Sequence, residues 1–361
     1  MLNQDRLIQT FFDLVKIDSP TGGERGVADY LIAQLKRLGF ETRIDATLNV
    51  TAFLPGRGDV TSPLLLSAHM DSVPPCHGIQ PRIEQGIIKS DGTTILGGDD
   101  RAAVASILEA LTVMHEQALP HRPLEIAFSA QEEPGLLGSA VLDYSQFKSK
   151  WGVVFDYDGP VGKIIVSAPA TYNLDATITG RAAHAGAVPE KGISAIVVAT
   201  EAISAMKLGR LDYETTANVG MIRGGLARNI VPETCEITAE TRSRRQTKLE
   251  RQKKAMVRAL ERAAKKHRAH VDIRLRFAYP AYRIPARAPI VRLVSVAVAR
   301  VGRTPQLDVA GGGSDANQFN AHGIQSIVTS IGIEKMHSTQ EFIPVGELVK
   351  CAELAFELVK A

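Results

Sequence analysis

Five short stretches carry side chains able to hold metal ions or move protons. They are Ser67-Ala-His69-Met-Asp71, Gly97-Gly-Asp99-Asp100, Glu132-Glu133, Asp156 at the end of Trp-Gly-Val-Val-Phe-Asp, and His337 in Lys-Met-His-Ser-Thr. Imidazole and carboxylate ligate divalent ions such as zinc, and a carboxylate can also serve as a general base. Asp71, two residues from His69, could orient the imidazole through its second ring nitrogen. Of two adjacent glutamates, one can bind metal while its neighbour holds the attacking water. Each stretch also has a plain structural reading: His69 and Asp71 could close a strand end, Asp99 and Asp100 could cap a helix, and Glu132 and Glu133 could be a solvated pair.

These residues need elements to bring them together. Leu7, Phe11 and Leu14, then Val27, Leu31, Leu35 and Leu38, recur at helical spacing and predict two helices between Asp5 and Gly39. Strands are expected at Glu41 to Phe53, Pro63 to Ala68, from Leu124 to Ala130, and Trp151 to Asp156. A helix is expected from Ala102 to Met114. Leu-Leu-Leu-Ser-Ala before His69 is continuously apolar, as suits a strand covered by helices on both faces. The candidate ligands follow successive strands, and the carboxyl ends of strands are where open α/β sheets place ligands.

After about residue 170 the pattern becomes strand, helix, strand, strand, helix, strand, which predicts a small α+β sandwich inserted into the larger domain. From Pro289 onward helical and strand signals resume around Gly-Gly-Gly-Ser-Asp-Ala-Asn. The expected division is therefore a first domain of residues 1–169 and 284–361, with an insert of 170–283.

The 361 residues, 45% hydrophobic and 22% charged with a net charge of +3, exclude a disordered chain and a strongly basic or acidic one. Twelve Lys or Arg stand against two Glu between Arg242 and Arg268. The stripe of Leu249, Met256 and Leu260 makes that helix a solvated face over an apolar contact, so no nucleic-acid partner is expected. No export signal, membrane span or CxxC spacing is seen, and a cytoplasmic chain with three free thiols is expected.

The order His-x-Asp, Gly-Asp-Asp, Glu-Glu, Asp and a distant His resembles the peptidase T and glutamate carboxypeptidase family of two-metal exopeptidases and deacylases, over essentially the whole chain. DGTTILGGDDRAAVA and YDGPVG are similar to its peptidase-T-like branch; GRAAHAGAVPEKGISA, RNIVPE and GGGSDAN are similar to the lid and substrate region of the wider family. The resemblance implies a helix-covered mixed-sheet α/β catalytic domain and an inserted ferredoxin-like α+β lid and dimerisation domain. It implies that Asp99 bridges two ions, His69 and Asp156 binding one, Glu133 and His337 the other. The ions would be Zn2+, two per subunit, with Co2+ or Mn2+ as substitutes. Glu132 would be the general base, with Asp71 tuning His69, and the Asp99–Asp100 peptide would be cis.

His184 is similar to a histidine that relatives lend across a homodimer to the partner's reacting oxyanion. Asn229 matches a substrate-binding amide or else forms a turn. Gly311, Gly312 and Gly313 either offer N–H groups to a substrate carboxylate or make a tight turn. Many relatives carry an arginine at that glycine loop, where this chain has Val309 and Ala310. The implied activity is release of the N-terminal residue from a tripeptide or similar short peptide. An N-acyl amino acid deacylase or carboxypeptidase would use the same centre, and a non-catalytic binding module is the rival of another class.

Overall fold

The computed structural model describes residues 2–360. Its first half runs α1 (Gln4–Val15), α2 (Arg25–Arg37), β1 (Glu41–Ile44), β2 (Val50–Leu54), β3 (Leu64–His69), β4 (Arg82–Glu84), β5 (Ile87–Lys89), α3 (Gly98–Glu116), β6 (Leu124–Ser129), α4 (Leu137–Ala140), β7 (Trp151–Tyr157) and β8 (Lys163–Ile165). After β9 (Ser167–Ala168) come β10 (Ala170–Thr179), α5 (Ala195–Ser204), β11 (Gly209–Asp212), β12 (Thr215–Gly224), β13 (Thr234–Ser243), α6 (Gln246–His267) and β14 (His270–Tyr279). The chain ends with β15 (Tyr282–Arg283), α7 (Pro289–Arg300), β16 (Gln306–Asp308), α8 (Asp315–Ala321), β17 (Gln325–Ser330), β18 (Phe342–Pro344) and α9 (Val345–Val359).

Two compact units result. The first comprises residues 1–167, 283–310 and 314–361; the second comprises 168–282 together with Gly311–Gly313. The first unit is built on an eight-stranded mixed sheet in the order β1-β2-β6-β3-β7-β17-β8-β16. Its centre, β6-β3-β7-β17, is parallel, and β3 and β6 are buried along their whole length. Parallel pairing aligns the carboxyl ends of these strands, setting His69 level with Ser129. The first unit therefore presents His69, the segment after Ser129, and Asp156 at one edge of its sheet.

Helix α3 is buried almost throughout because it packs on β3 and β7 and is itself covered by α1 and α9. Helix α1 is started by Asn3, whose side chain accepts the Arg6 N–H. Its first turn also holds a buried charge: Glu109 of α3 accepts from the Asn3 N–H at 2.7 Å and from Arg6 Nε at 2.6 Å. The expected single strand from Glu41 to Phe53 is a hairpin instead. Asp45 accepts the N–H groups of Thr47 and Asn49, and Leu48 turns at a φ of 77°, so the extended run breaks between β1 and β2.

The second unit has a five-stranded antiparallel sheet in the order β11-β12-β13-β10-β14. Leaving out the added edge strand β11, this is the ferredoxin-like order for a strand-helix-strand-strand-helix-strand chain. Leu174, Ala176 and Ile178 alternate inward along β10 and pack with Cys235, Ile237, Val198, Met256 and Leu260. The apolar stripe of α6 thus faces this sheet, while its charged face is partly paired, for example Lys248 with Glu214 and Lys266 with Glu201. No helix among the described residues is long and apolar enough to cross a membrane.

The Arg6–Glu109 pair gives an asymmetric prediction, because the Arg6 side chain is 30% exposed and that of Glu109 only 1%. Arg6→Ala strands a buried carboxylate and should cost about 3 kcal/mol or more. Glu109→Gln leaves Arg6 able to reach water and should cost about 1 kcal/mol. Urea unfolding of both variants checks the order; equal losses would mean that Glu109 is not held as a charge.

Candidate active site

The site in the first unit starts from the end of β3. The His69 N–H donates to Asp100 Oδ2 at 3.0 Å, and its ring lies between carboxylates. Nδ1 is 3.4 Å from Asp71 Oδ1 and 3.1 Å from the Asp71 carbonyl; Nε2 is 3.1 Å from Asp99 Oδ1 and 3.8 Å from Asp156 Oδ1. His337 approaches from the other side, its Nε2 3.0 Å from Asp99 Oδ2 and 3.2 Å from Glu133 Oε1. Asp99 therefore directs one oxygen to each imidazole. The Asp99–Asp100 peptide is cis, and His337 takes a φ of 60°, an uncommon conformation in which histidine is one of the enriched residue types.

Asp71 accepts from four directions. Its Oδ1 receives the Glu132 N–H at 2.9 Å and faces His69; its Oδ2 receives the Thr21 hydroxyl at 2.8 Å and the Glu133 N–H at 3.3 Å. Arg101 is buried behind this loop and donates to the Asp71 carbonyl and to Ser72 Oγ. Glu24 steadies the same segment by accepting the Gln131 N–H. Asp315, at the start of α8, accepts from the Ser129 hydroxyl.

The site is short of positive charge. Seven carboxylates, those of Asp71, Asp99, Asp100, Glu132, Glu133, Asp156 and Asp315, have side chains or whole residues no more than 10% exposed, against two imidazoles and Arg101. Burial first, and then the mutual repulsion of these acids, push Glu132 and Asp156 well above the carboxylate range, and Asp100 with them. For Asp99 burial acts in the same direction, but the hydrogen bonds to His337 and His69 outweigh it and hold the carboxylate low. Burial opposes the His69 imidazolium, yet its bonds to Asp71 and Asp99 raise it well above 6.5. His337 is raised to about 10, first by its bond to Asp99 and then by Glu133.

Divalent ions suit this donor set. Ligand atoms of His69, Asp100 and Asp156 lie within 4.8 Å of one another, as do those of His69, Asp99 and Glu133. Asp100 Oδ1 and Glu133 Oε1 are buried without a hydrogen-bond donor, although Glu133 Oε1 is close to His337. Asp100 differs from Asp99 in having Oδ2 committed to the His69 N–H, so Asp99 is the residue aimed at both imidazoles.

The structure thus gathers His69, Asp71, Asp99, Glu132, Glu133, Asp156 and His337 in the first unit. His184, Asn229 and Gly311–Gly313 belong to the second. There the Ala185 N–H donates to the Asn229 carbonyl, and His184 bridges to Ile230, so His184 and Asn229 sit on adjacent paired segments. His184 Nδ1 accepts the N–H groups of Gly186 and Ala187, which leaves the ring proton of a neutral imidazole on Nε2. Gly313 has a packing reason of its own, since a Cβ there would lie 2.3 Å from the Tyr279 ring. The sequence offers Asp100 only as an acid beside Asp99 at a helix start, and Glu341, Arg101, Asp315, Thr21 and Glu24 are given no role by it.

Comparison with known proteins identifies the family. The peptidase dimerisation domain family matches residues 170–268. The crystal structure of aminopeptidase PepT from Bacillus cereus is 41% identical, covers 99% of this chain and 98% of its own, and superposes with a TM-score of 0.88. A tripeptidase from Staphylococcus aureus is 35% identical over 100% of this chain and 98% of its own, with a TM-score of 0.94. The uncharacterised protein YqjE of Bacillus subtilis is 39% identical over 100% of this chain and 99% of its own length. The chain belongs to the M20 family of peptidases, hydrolases whose catalytic unit carries a separate dimerisation domain. Within that family it is a peptidase-T-like metallopeptidase.

The carboxylate partners of His69 and His337 favour the protonated form of both imidazoles, so binding of a divalent ion there would displace protons. Zinc titrated calorimetrically into the metal-free protein near neutral pH, in buffers of different ionisation enthalpy, should show net proton release; equal apparent enthalpies would contradict the paired imidazoles. His337 is raised from 6.5 to about 10, so its contribution to metal-free stability is complete below about 6.5. It is lost as pH rises through about 10, and thermal melts across that range should fall for the metal-free protein.

Proposed function

We propose that the chain is a two-metal tripeptide aminopeptidase acting as a cytoplasmic homodimer. The observation that carries this reading is Asp99, whose two carboxylate oxygens face different imidazoles at 3.1 and 3.0 Å amid an excess of buried acids. His69 and Asp156 would hold one ion, Glu133 and His337 the other, and Asp99 both; zinc fits the mixture of imidazole and carboxylate. Two such ions supply Lewis acidity to a water and to the scissile carbonyl. Substrate preference for short peptides with a free N-terminus is supported by the names of the PepT and tripeptidase relatives.

Glu132 is the general base in this reading. Its carboxylate is buried, is not needed in either ligand set, and is raised by its surroundings, so it can take a proton from water and return it to the leaving amine. Asp71 holds the Glu132 N–H and faces His69 Nδ1, which fixes base and ligand in one frame. His184 presents Nε2–H as an oxyanion donor, and Asn229 on the neighbouring segment and the Gly311–Gly313 loop are substrate contacts. The dimer is supported by the family match over 170–268 and by half-exposed Met221, Ile222, Leu275 and Phe277 on the second unit. Three free, buried cysteines fit a reducing compartment.

Metal analysis together with hydrolysis of a tripeptide panel tests the proposal. Two ions per chain and zinc-dependent release of the N-terminal residue are expected; two ions with cleavage of only acylated or C-terminal bonds would overturn the aminopeptidase assignment. Glu132→Ala should keep both ions and lose turnover by orders of magnitude, and substantial residual hydrolysis would remove Glu132 from the base role. His184→Ala should lower kcat roughly 10²-fold with metal content unchanged. Mixing subunits of the two variants should recover activity if His184 serves the partner's site, and no recovery would place it elsewhere.

A further inference from the structure

His337 reaches the centre from a loop that the structure closes tightly. Glu334 and Phe342 exchange backbone N–H···O bonds of 2.9 and 3.1 Å, and within the loop Lys335 and His337 both take positive φ. Glu341 stands at the foot of this loop, 1% exposed. Its Oε2 accepts the Gly97 N–H at 2.8 Å and its Oε1 the Asp99 N–H at 3.0 Å, across 244 and 242 residues of chain. The turn it grips has no slack: Gly97 has a φ of 72°, and a Cβ at Gly98 would lie 2.4 Å from Ile333 Cδ1. The carboxylate of the same Asp99 meets His337 Nε2 at 3.0 Å. One loop therefore contacts Asp99 twice, through its backbone by Glu341 and through its side chain by His337.

We propose that Glu341 is a positioning residue that locks the Gly97–Asp99 turn to the His337 loop and so sets the affinity for the ion on the Glu133–His337 side. The inference rests on the two-metal reading. Without the Glu341 carboxylate two buried N–H groups lose their acceptor, and the distance between the Asp99 oxygen and His337 is no longer fixed. The His69–Asp156 side shares Asp99 but takes nothing from His337, and His69 is held independently of this loop, its backbone by Asp100 and its ring by Asp71. The effect of losing Glu341 should consequently be unequal between the two ions.

Zinc competition with a chelator, followed by Co2+ titration monitored in the visible spectrum, tests this on the full-length protein. Wild type should take up two ions. Glu341→Gln, which keeps one acceptor oxygen and the side-chain volume, should bind the first ion as wild type does and the second roughly 10- to 100-fold more weakly. Glu341→Ala should weaken the second ion further, with Glu341→Gln restoring part of the loss and only the later half of the cobalt spectrum changing. If Glu341→Ala does not fold, Glu341→Gln alone decides. Unchanged affinity for both ions, or equal weakening of both, overturns the clamp; a wild type that binds fewer than two ions overturns the two-metal reading itself.

Discussion

The carboxylate of Asp71 ties together three stretches of chain at the site itself, beyond the contacts that β3–β6 pairing, Ser19 and Glu24 already supply. It accepts from Thr21 in the segment between the first two helices, receives the N–H groups of Glu132 and Glu133 beyond β6, and faces the ring of His69 at the end of β3. Burial opposes its ionisation, but His69 and the N–H groups outweigh burial and keep its pKa below the ordinary value. A neutral Asp71 would be a weaker acceptor for four partners at once. The placement of the proposed base relative to the His69 ligand follows from this one ionised side chain.

The surrounding acids make the opposite demand. Glu132, Asp156 and Asp100 lie close enough to one another that burial and mutual repulsion resist their ionisation, and the two imidazoles supply only part of the missing positive charge. An arrangement that costs this much without cations is understandable as a frame for cations. Arg101 attracts Asp71, Asp100 and Asp99 from behind the loop, but its hydrogen bonds go to the Asp71 carbonyl and Ser72 Oγ, so it holds the loop and leaves the excess of acids in place.

Much of the sheet was legible because β3, β6 and β7 are apolar runs bounded by polar residues, and the acids and His69 follow them directly. The fold class, the family and the peptidase-T-like activity read from these motifs agree with the structure and the relatives. What stayed hidden depends on partners distant in sequence. Glu341 precedes an apolar dipeptide like any surface acid, and its partners are 242 and 244 residues away. Thr21, 50 residues from Asp71, and Asp315, 186 residues from Ser129, are ordinary turn and helix-start residues until the chain folds. The strands β4, β5 and β18, each of three residues, are too short to show an alternation.

The backbone around the centre shows a recurring device: His69, Asp99 and Glu133, three of the five residues proposed to hold the ions, and the proposed base Glu132 have their own N–H groups held by carboxylates. Asp100 takes the N–H of His69, Asp71 those of Glu132 and Glu133, and Glu341 that of Asp99. Strand ends and turns, which would otherwise be the least restrained parts of the fold, are thereby fixed before any ion arrives. The same device separates the acids by proton affinity. Asp71, with two N–H donors, a hydroxyl and an imidazole, is held below the ordinary carboxylate range; Glu132, buried among repelling neighbours, is raised above it. Two acids brought together by the same strand ends are thus divided by hydrogen bonding into a fixed anion and a group able to carry a proton, which is the division that hydrolysis by a general base requires.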